Sequence, residues 1–172
     1  MTPLIILIVI GFFINIGLAW SCARSESRVD NIENTLLNVL DWCNNRNIKP
    51  PYIIPSDEID KHAIYTILRG CFWLCLWVSI ITTDIGWASV FLASVNALVL
   101  IGFFKGAHGF WYIHYANKLN KNAYKGGWKS NSGGSTAWGD RKIKDNFANR
   151  VVFVSVSTLV LLFEIIGVLC LK

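Results

Sequence analysis

The stretch that decides the fold is VVFVSVSTLVLLFEIIGVLCL, residues 151–171, which contains one ionisable side chain, Glu164. A run of 18 or more apolar residues is long enough to cross a bilayer as an α-helix. An acidic group near the middle of such a span costs about 2.5–3.5 kcal/mol on insertion scales. The run therefore predicts a membrane-spanning helix, and it predicts that another group compensates for the acid or uses it.

The composition of the whole chain agrees with this class of protein. Of its 172 residues, 53% are hydrophobic and only 16% are charged, whereas soluble domains average about 25% charged residues. The net charge of +5 lies outside the apolar runs. No nucleic-acid fold signature accompanies it, so basic cytoplasmic loops explain the charge more simply than nucleic-acid binding does. Five cysteines without paired spacings do not form a disulfide framework.

Three more apolar stretches predict three more spans. Residues 71–104 contain one charge, Asp84. A single helix of this length would measure about 51 Å, against about 30 Å of hydrocarbon, so we expect two helices joined at residues 82–84. The predicted spans are residues 3–20, 65–83, 85–104 and 151–171.

The two long polar regions, residues 21–64 and 105–150, are expected to be cytoplasmic loops. Apolar residues at helical spacing predict an amphipathic helix over about residues 28–43. An aromatic and basic stretch after the third span predicts a second helix, in the headgroup layer. Its expected interfacial anchors are His108, Trp111, Tyr112, His114 and Tyr115. The fold class is thus an all-α integral membrane protein, a single membrane domain with four transmembrane helices and these two additional helices.

The distribution of lysine and arginine predicts the orientation. Nearly all of these side chains lie in the two long polar regions, and none lies in the short connection at residues 82–85. The positive-inside rule then places both long loops in the cytoplasm and both termini outside. The expected location is a bacterial-type cytoplasmic membrane.

Depth along the spans predicts which polar groups meet Glu164. At about 1.5 Å per residue, Asn96 falls close to the midplane, as Glu164 does, whereas Arg69 lies near the cytoplasmic face and is a poor counter-ion. Asn15 is a marginal candidate because it lies about 10 Å away in depth. The expected intramembrane polar cluster consists of Glu164, Asn96, Asn15, Thr82, Thr83 and Ser157.

Two interpretations of this cluster stay open. In the favoured one, a neutral glutamic acid is hydrogen-bonded to asparagine across helices and holds a bundle or an oligomer together. In the other, the cluster is a protonatable relay or a coordination point for an ion. The third span also has small residues three or four apart, which allow helices to approach closely. This expected packing face consists of Gly86, Ser89, Ala93 and Ala97, with Asn96 within it.

No catalytic grouping or cofactor motif is present in the sequence. His108 and His114 would lie about 240° apart around a helix, so they would not chelate a metal from one face. We therefore expect no metal and no cofactor. Cys22, at the end of the first span, is a possible site of acylation, although a packed side chain is the favoured interpretation.

The segment from residue 105 to residue 135 resembles a family of small bacterial inner-membrane proteins of unknown function. Those proteins have an aromatic–Tyr–basic stretch after a span, followed by Gly-Gly-Thr or Gly-Gly-Ser. This chain departs from that pattern in having fewer basic residues after His114. The resemblance implies a multi-span protein of the cytoplasmic membrane, and no activity. The residues that carry it are Phe110, Trp111, Tyr112, His114, Lys118, Lys121, Gly133, Gly134 and Ser135.

Three functions follow as hypotheses. The first is a non-enzymatic assembly or accessory subunit of a homo-oligomer or larger membrane complex. Its partners would be the lipid bilayer, other spans and a cytoplasmic protein. The second is a small channel or proton/ion conductor that uses Glu164 and Asn96. The third, a membrane-bound enzyme acting on lipid, is least favoured because the sequence offers no catalytic grouping.

Overall fold

The computed structural model describes residues 2–46, 61–83, 86–120, 123–131 and 145–170. Among these residues all regular structure is helical and there is no β-strand, which confirms the all-α class. The α-helices in this part of the chain are α1 (Thr2–Asn44), α2 (Lys61–Ile81), α3 (Trp87–Leu119) and α4 (Phe147–Cys170), and a 3-10 turn covers Gly127–Lys129.

Three of these helices have the length and composition of membrane spans. The apolar stretches are Pro3–Arg28 in α1, Trp87–Leu119 in α3 and Phe147–Cys170 in α4. Length and composition thus indicate a membrane protein. In α2 the side chains are described only for residues 66–81, fewer than 18 residues, so the described part of this helix does not establish the predicted fourth span.

The expected break between the second and third apolar helices is present. α2 ends at Ile81 and α3 begins at Trp87. The Thr82 hydroxyl donates to the Ser79 carbonyl at 2.9 Å, and the Thr83 hydroxyl donates to the Ile80 carbonyl at 2.7 Å. These bonds satisfy carbonyls that would otherwise be left without partners at a helix end. Asp84 lies outside the described residues.

Two predicted helix boundaries are wrong, because α1 and α3 continue through them. α1 is one helix of 43 residues, about 65 Å long, rather than a span at residues 3–20 and a separate amphipathic helix. The side chains of residues 29–44, which would form the amphipathic face, lie outside the described ones. α3 likewise continues to Leu119, so the aromatic segment is the last part of this helix. Neither junction contains a proline, so nothing in the local sequence stops the helix.

α3 is the central helix, since its contacts with the other three are the most extensive of the four. α1 runs parallel to it. The ring centroids of Phe12 and Phe103 lie 4.6 Å apart, and those of Trp20 and Tyr115, further along both helices, lie 6.3 Å apart. The chain therefore passes along the bundle in the same direction in α1 and α3.

α2 runs antiparallel to α1, and α4 runs antiparallel to α3. The pairs that fix these directions are Leu76 with Gly11 and Arg69 with Glu26 for α2, and Glu164 with Asn96 and Phe147 with Phe110 for α4. The four helices thus alternate in direction. We call the end where Arg24, Arg28, Arg69, Lys118 and Arg150 lie the basic end of the bundle.

The core lies where α1, α2, α3 and α4 meet, and it is apolar apart from a few asparagine, serine and glutamate side chains and Arg150. Its main cluster consists of Ile8, Leu76, Ile80, Ala93, Val99, Leu100 and Leu161. Large apolar side chains such as Phe13, Phe91 and Phe163 point outward instead. Such a surface suits a surrounding solvent of lipid tails.

Candidate functional site

The acid at membrane depth is paired with an amide on the neighbouring helix. Glu164 on α4 is 8% exposed and Asn96 on α3 is 1% exposed. The Asn96 Nδ2 donates to Glu164 Oε2 at 3.1 Å. Asn96 lies on the same side of α3 as Ala93, a small residue that is fully buried. Its bond to Glu164 shows that this side faces α4. The contact expected from the depth of the two residues is therefore present.

One acceptor atom on each side chain of this pair is left without a partner. Asn96 Oδ1 and Glu164 Oε1 are buried and accept no hydrogen bond within the part of the chain that the structure describes. Both atoms are acceptors when the carboxyl group is ionised, so they cannot satisfy each other in that state. A single proton on Oε1, donated to Oδ1, would complete a two-bond acid–amide pair. A small cation between the two oxygens is the other way to satisfy them.

Asn15 belongs to a different pair, and its expected place beside Glu164 is wrong. Its Nδ2 donates to the Leu100 carbonyl at 2.9 Å, and its Oδ1 accepts from Trp73 Nε1 at 3.0 Å. The side chain is fully buried. Because both ends of the amide are used, Asn15 ties α1 to α2 and α3 and does not reach Glu164.

The hydroxyl groups predicted for the cluster bond elsewhere too. Thr82 and Thr83 donate within the end of α2, as described above. Ser157 is buried on α4 and faces Gly102, where a Cβ atom would lie 2.8 Å from its Oγ. Among the described residues, the polar cluster is therefore the Asn96–Glu164 pair alone. Ser157 occupies the space beside Gly102, one to two turns away from that pair.

The closest approach of α3 and α4 lies beyond the predicted packing face. Ser89 and Ala93 are buried as expected, but Ala97 is only half-buried and Gly86 is exposed in extended backbone before α3. Glycines further along α3 make the tighter contact. The spacing Gly102-x-x-x-Gly106 is the sequence signal for it. A Cβ at Gly106 would lie 2.7 Å from the Arg150 carbonyl oxygen of α4.

The basic end contains a charged cluster that the sequence did not predict. The buried Glu26 carboxylate on α1 lies 2.9 Å from His108 Nε2 and 4.0 Å from Arg69 Nη1. The Arg69 guanidinium also lies 4.7 Å from the centre of the Phe104 ring. The sequence predicts a loop at Glu26, and a loop position does not indicate which residues of α2 and α3 lie beside it. Arg69 is engaged far from Glu164, in agreement with the depth argument.

The expected interfacial anchors lie on the last turns of α3. His108 stacks between the rings of Phe104 and Tyr112, whereas Trp111 stacks on Tyr115. His114 is exposed. The aromatic side chains thus form two separate stacks along one long helix.

A fully buried arginine, Arg150, lies in the first turn of α4. Arg150 is 1% exposed and donates to both carboxylate oxygens of Asp145, at 2.6 Å and 3.0 Å. Its Nη1 also donates to the Trp128 carbonyl at 3.2 Å. The turn that presents this carbonyl begins at Gly127, whose φ of +55° suits glycine. Gly109 leaves room for the guanidinium, since a Cβ there would lie 2.7 Å from Arg150 Nε. Through its bond to the Trp128 carbonyl, the Arg150 guanidinium holds the 3-10 turn against α3 and α4.

The remaining candidate sites are metal-ligating side chains and cysteine thiols. Among the described residues, no group of three or more histidine, cysteine or acidic side chains is placed to hold a metal. Cys22 is 2% exposed and packs with Ala19 and Phe104, which leaves no room for an acyl chain. Cys71 and Cys75 are free and face outward from α2.

Comparisons with known proteins gave no match for this chain among family models, curated proteins or solved structures. The resemblance of residues 105–135 to small inner-membrane proteins stays a prediction. Gly133, Gly134 and Ser135, with which that segment ends, lie outside the described residues, as does Lys121.

Proposed function

We propose that all four helices cross the membrane, with α2 as the fourth span. Its 21 residues give a length of about 31 Å, close to the about 30 Å of hydrocarbon. α2 packs beside the apolar first third of α1, where the Leu76 side chain meets Gly11 and Trp73 bonds to Asn15. A helix at this depth has no water to satisfy its backbone, and a continuous helix needs none.

We infer that the basic end faces the cytoplasm of a bacterial-type cell, with both termini outside. The charge distribution supports this orientation, since the excess of lysine and arginine marks the cytoplasmic side of membrane proteins. The alternating directions of the helices support it further, because four spans return the C-terminus to the side of the N-terminus. The lengths of α1 and α3, about 65 Å and 50 Å, extend both helices beyond the hydrocarbon at the basic end.

Within this architecture the chain acts as a non-enzymatic assembly or accessory subunit. The observation that carries this proposal is the use of the polar side chains at membrane depth. Asn96 bonds to Glu164, and Asn15 bonds to Trp73 and to the Leu100 carbonyl. Each bond joins two helices of the same chain, which is the role of polar side chains that fix helix packing in lipid.

The partner in this proposal is a transmembrane helix of another subunit, with a second copy of the chain as the simplest case. The outer face of α2 is exposed from residue 67 to residue 78 and alternates large apolar with small side chains. Small residues allow two helix backbones to approach closely in lipid. This face consists of Ile67, Gly70, Cys71, Leu74, Cys75 and Val78.

Oxidative cross-linking in native membranes tests the partner proposal, because Cys71 and Cys75 lie on the proposed interface. A disulfide needs Cα atoms within about 7 Å, so only closely packed faces cross-link. We expect a covalent adduct that is lost in the Cys71→Ser/Cys75→Ser variant and kept in the matched Cys170→Ser variant. An adduct of twice the monomer mass supports a homodimer, and another mass supports a larger complex. A chain that stays monomeric, or an adduct that depends only on Cys170, contradicts the proposal.

A second function, a proton or cation conductor, is favoured by one observation, the two oxygens of the Asn96–Glu164 pair that lack partners. Flux through liposomes distinguishes the two functions. The assembly proposal predicts that Glu164→Gln leaves proton and cation flux unchanged, because a glutamine restores both hydrogen bonds to Asn96. A flux that the wild type supports and Glu164→Gln abolishes would establish the conductor instead.

A further inference from the structure

A pocket of about 410 Å³ opens between α1 and α3 at the basic end, away from the polar pairs described above. This size lies within the range of sites for small ligands. Its lining contains three cationic side chains and no carboxylate. Among the described residues, none of these three cations forms an ion pair. The lining residues are Arg24, Ser27, Arg28, Tyr115, Lys118 and Leu119.

The pocket lies beyond the apolar run of α1 and at the end of α3. Arg24 is the first charged residue after that run, and Leu119 is the last residue of α3. Trp20 packs edge-to-face on Tyr115, and Trp111 stacks on Tyr115 from within α3. Tryptophan and tyrosine side chains concentrate at the level of the lipid headgroups. The depth of the pocket is therefore that of the headgroup layer.

The cations of the pocket combine one fixed group with two adaptable ones. Arg24 lies 5.4 Å from the centre of the Trp20 ring, a cation–π contact that orients its guanidinium. The buried Ser27 hydroxyl donates to the Arg24 carbonyl at 3.0 Å and fixes the backbone there. Arg28 and Lys118 are exposed, so their long side chains are free to close on a ligand.

We propose that this pocket binds the phosphate of an anionic phospholipid from the leaflet at the basic end. Three cations with no carboxylate among the described lining residues favour an anion, and guanidinium groups match the geometry of phosphate oxygens. The location within the headgroup layer selects a lipid over a phosphate free in solution. Basic pockets between transmembrane helices recognise anionic headgroups in this way. A zwitterionic lipid gains less, because its own cation is repelled by the same side chains.

Native mass spectrometry of the full-length protein in detergent tests the proposal, with phosphatidylglycerol and phosphatidylcholine of the same acyl chains as probes. The test variant is Arg28→Gln/Lys118→Gln. Both side chains are exposed, so the changes leave packing intact. The matched control is Lys125→Gln/Lys129→Gln, which removes the same charge from exposed positions outside the pocket. Inorganic phosphate is added as a competitor in a separate arm.

We expect wild-type protein to bind phosphatidylglycerol more tightly than phosphatidylcholine. Each charge removed from the pocket weakens phosphatidylglycerol binding about fivefold, so the test variant binds about 25-fold more weakly. The control variant keeps the preference. Equal affinity for both lipids, or equal losses in the test and control variants, would overturn the proposal. Displacement of the lipid by equimolar inorganic phosphate would assign the pocket to a soluble anion and overturn the lipid assignment.

Discussion

At the scale of single residues, the packing of the helices depends on how the buried amides of Asn15 and Asn96 and the acid of Glu164 are paired. The Asn15 amide has a partner at both ends, whereas the Asn96–Glu164 pair uses one of its two possible bonds, and two of its oxygens have no partner among the described residues. In hydrocarbon an unsatisfied polar group is costly. A proton on Glu164 or a bound cation would complete the pair, and the proposed assembly function calls for the protonated form.

A double-mutant cycle on this pair has a defined expected outcome. Either Asn96→Leu or Glu164→Leu alone leaves the other polar group buried without a partner, and each is expected to lower the free energy of unfolding in mixed micelles by about 1–2 kcal/mol. The double variant should lose less than the sum, because replacing both partners by apolar groups is nearly neutral.

Asn15 provides the control for this cycle. Asn15→Leu should also destabilise, since it leaves Trp73 Nε1 without its acceptor. Combined with Glu164→Leu, however, its effect should be additive within about 0.5 kcal/mol. Coupling of Asn15 to Glu164 as strong as that of Asn96 would mean that the two polar pairs are not separate.

At the scale of elements, the packing of α3 on α4 is set by the glycines at its basic half. Gly102, Gly106 and Gly109 each lie against α4 so closely that an added Cβ would meet an atom within 2.8 Å. At Gly106 that atom belongs to the α4 backbone, which cannot turn aside as a side chain can. The same close approach leaves room for the Arg150 guanidinium beside Gly109.

Gly106→Ala is therefore expected to destabilise the bundle by about 1–3 kcal/mol, as overpacking does in well-packed cores. The matched control is Gly167→Ala on α4, where an added Cβ meets nothing within 4 Å. Because alanine is the better helix former, the control should be neutral or more stable by about 0.5–1 kcal/mol. Thermal unfolding in detergent measures both. A Gly106→Ala protein as stable as the control would refute the close contact.

The sequence predicts the apolar helices, the break at residues 82–84 and the depth match of Asn96 with Glu164, because each depends on local composition or on a count of residues along a helix. It does not predict that α1 continues to Asn44 and α3 to Leu119, since polar segments are compatible with either a helix or a loop. The partners of Asn15 and Glu26 were also missed. Those partners lie on other helices, and the rotation of each helix follows from packing that no local pattern contains.

At the scale of the whole molecule, the central claim is that four alternating helices cross the membrane with the basic end in the cytoplasm. Three helices have the length and composition of candidate spans within their described residues, so α2 decides the count. If α2 crosses, the end of α1 and the end of α2 lie on opposite sides of the membrane. If α2 stays on one side, they lie on the same side, while the two ends of α3 are separated in either case.

Accessibility of single cysteines to a membrane-impermeant thiol reagent in intact cells tests this claim most directly. The chain is first freed of its own cysteines, and Asn45→Cys, Thr83→Cys and Lys129→Cys are then introduced one at a time at exposed positions. We predict that only Thr83→Cys reacts from outside, and that Asn45→Cys and Lys129→Cys react after the cells are opened. Labelling of Asn45→Cys and Thr83→Cys from the same side would contradict the four-span account.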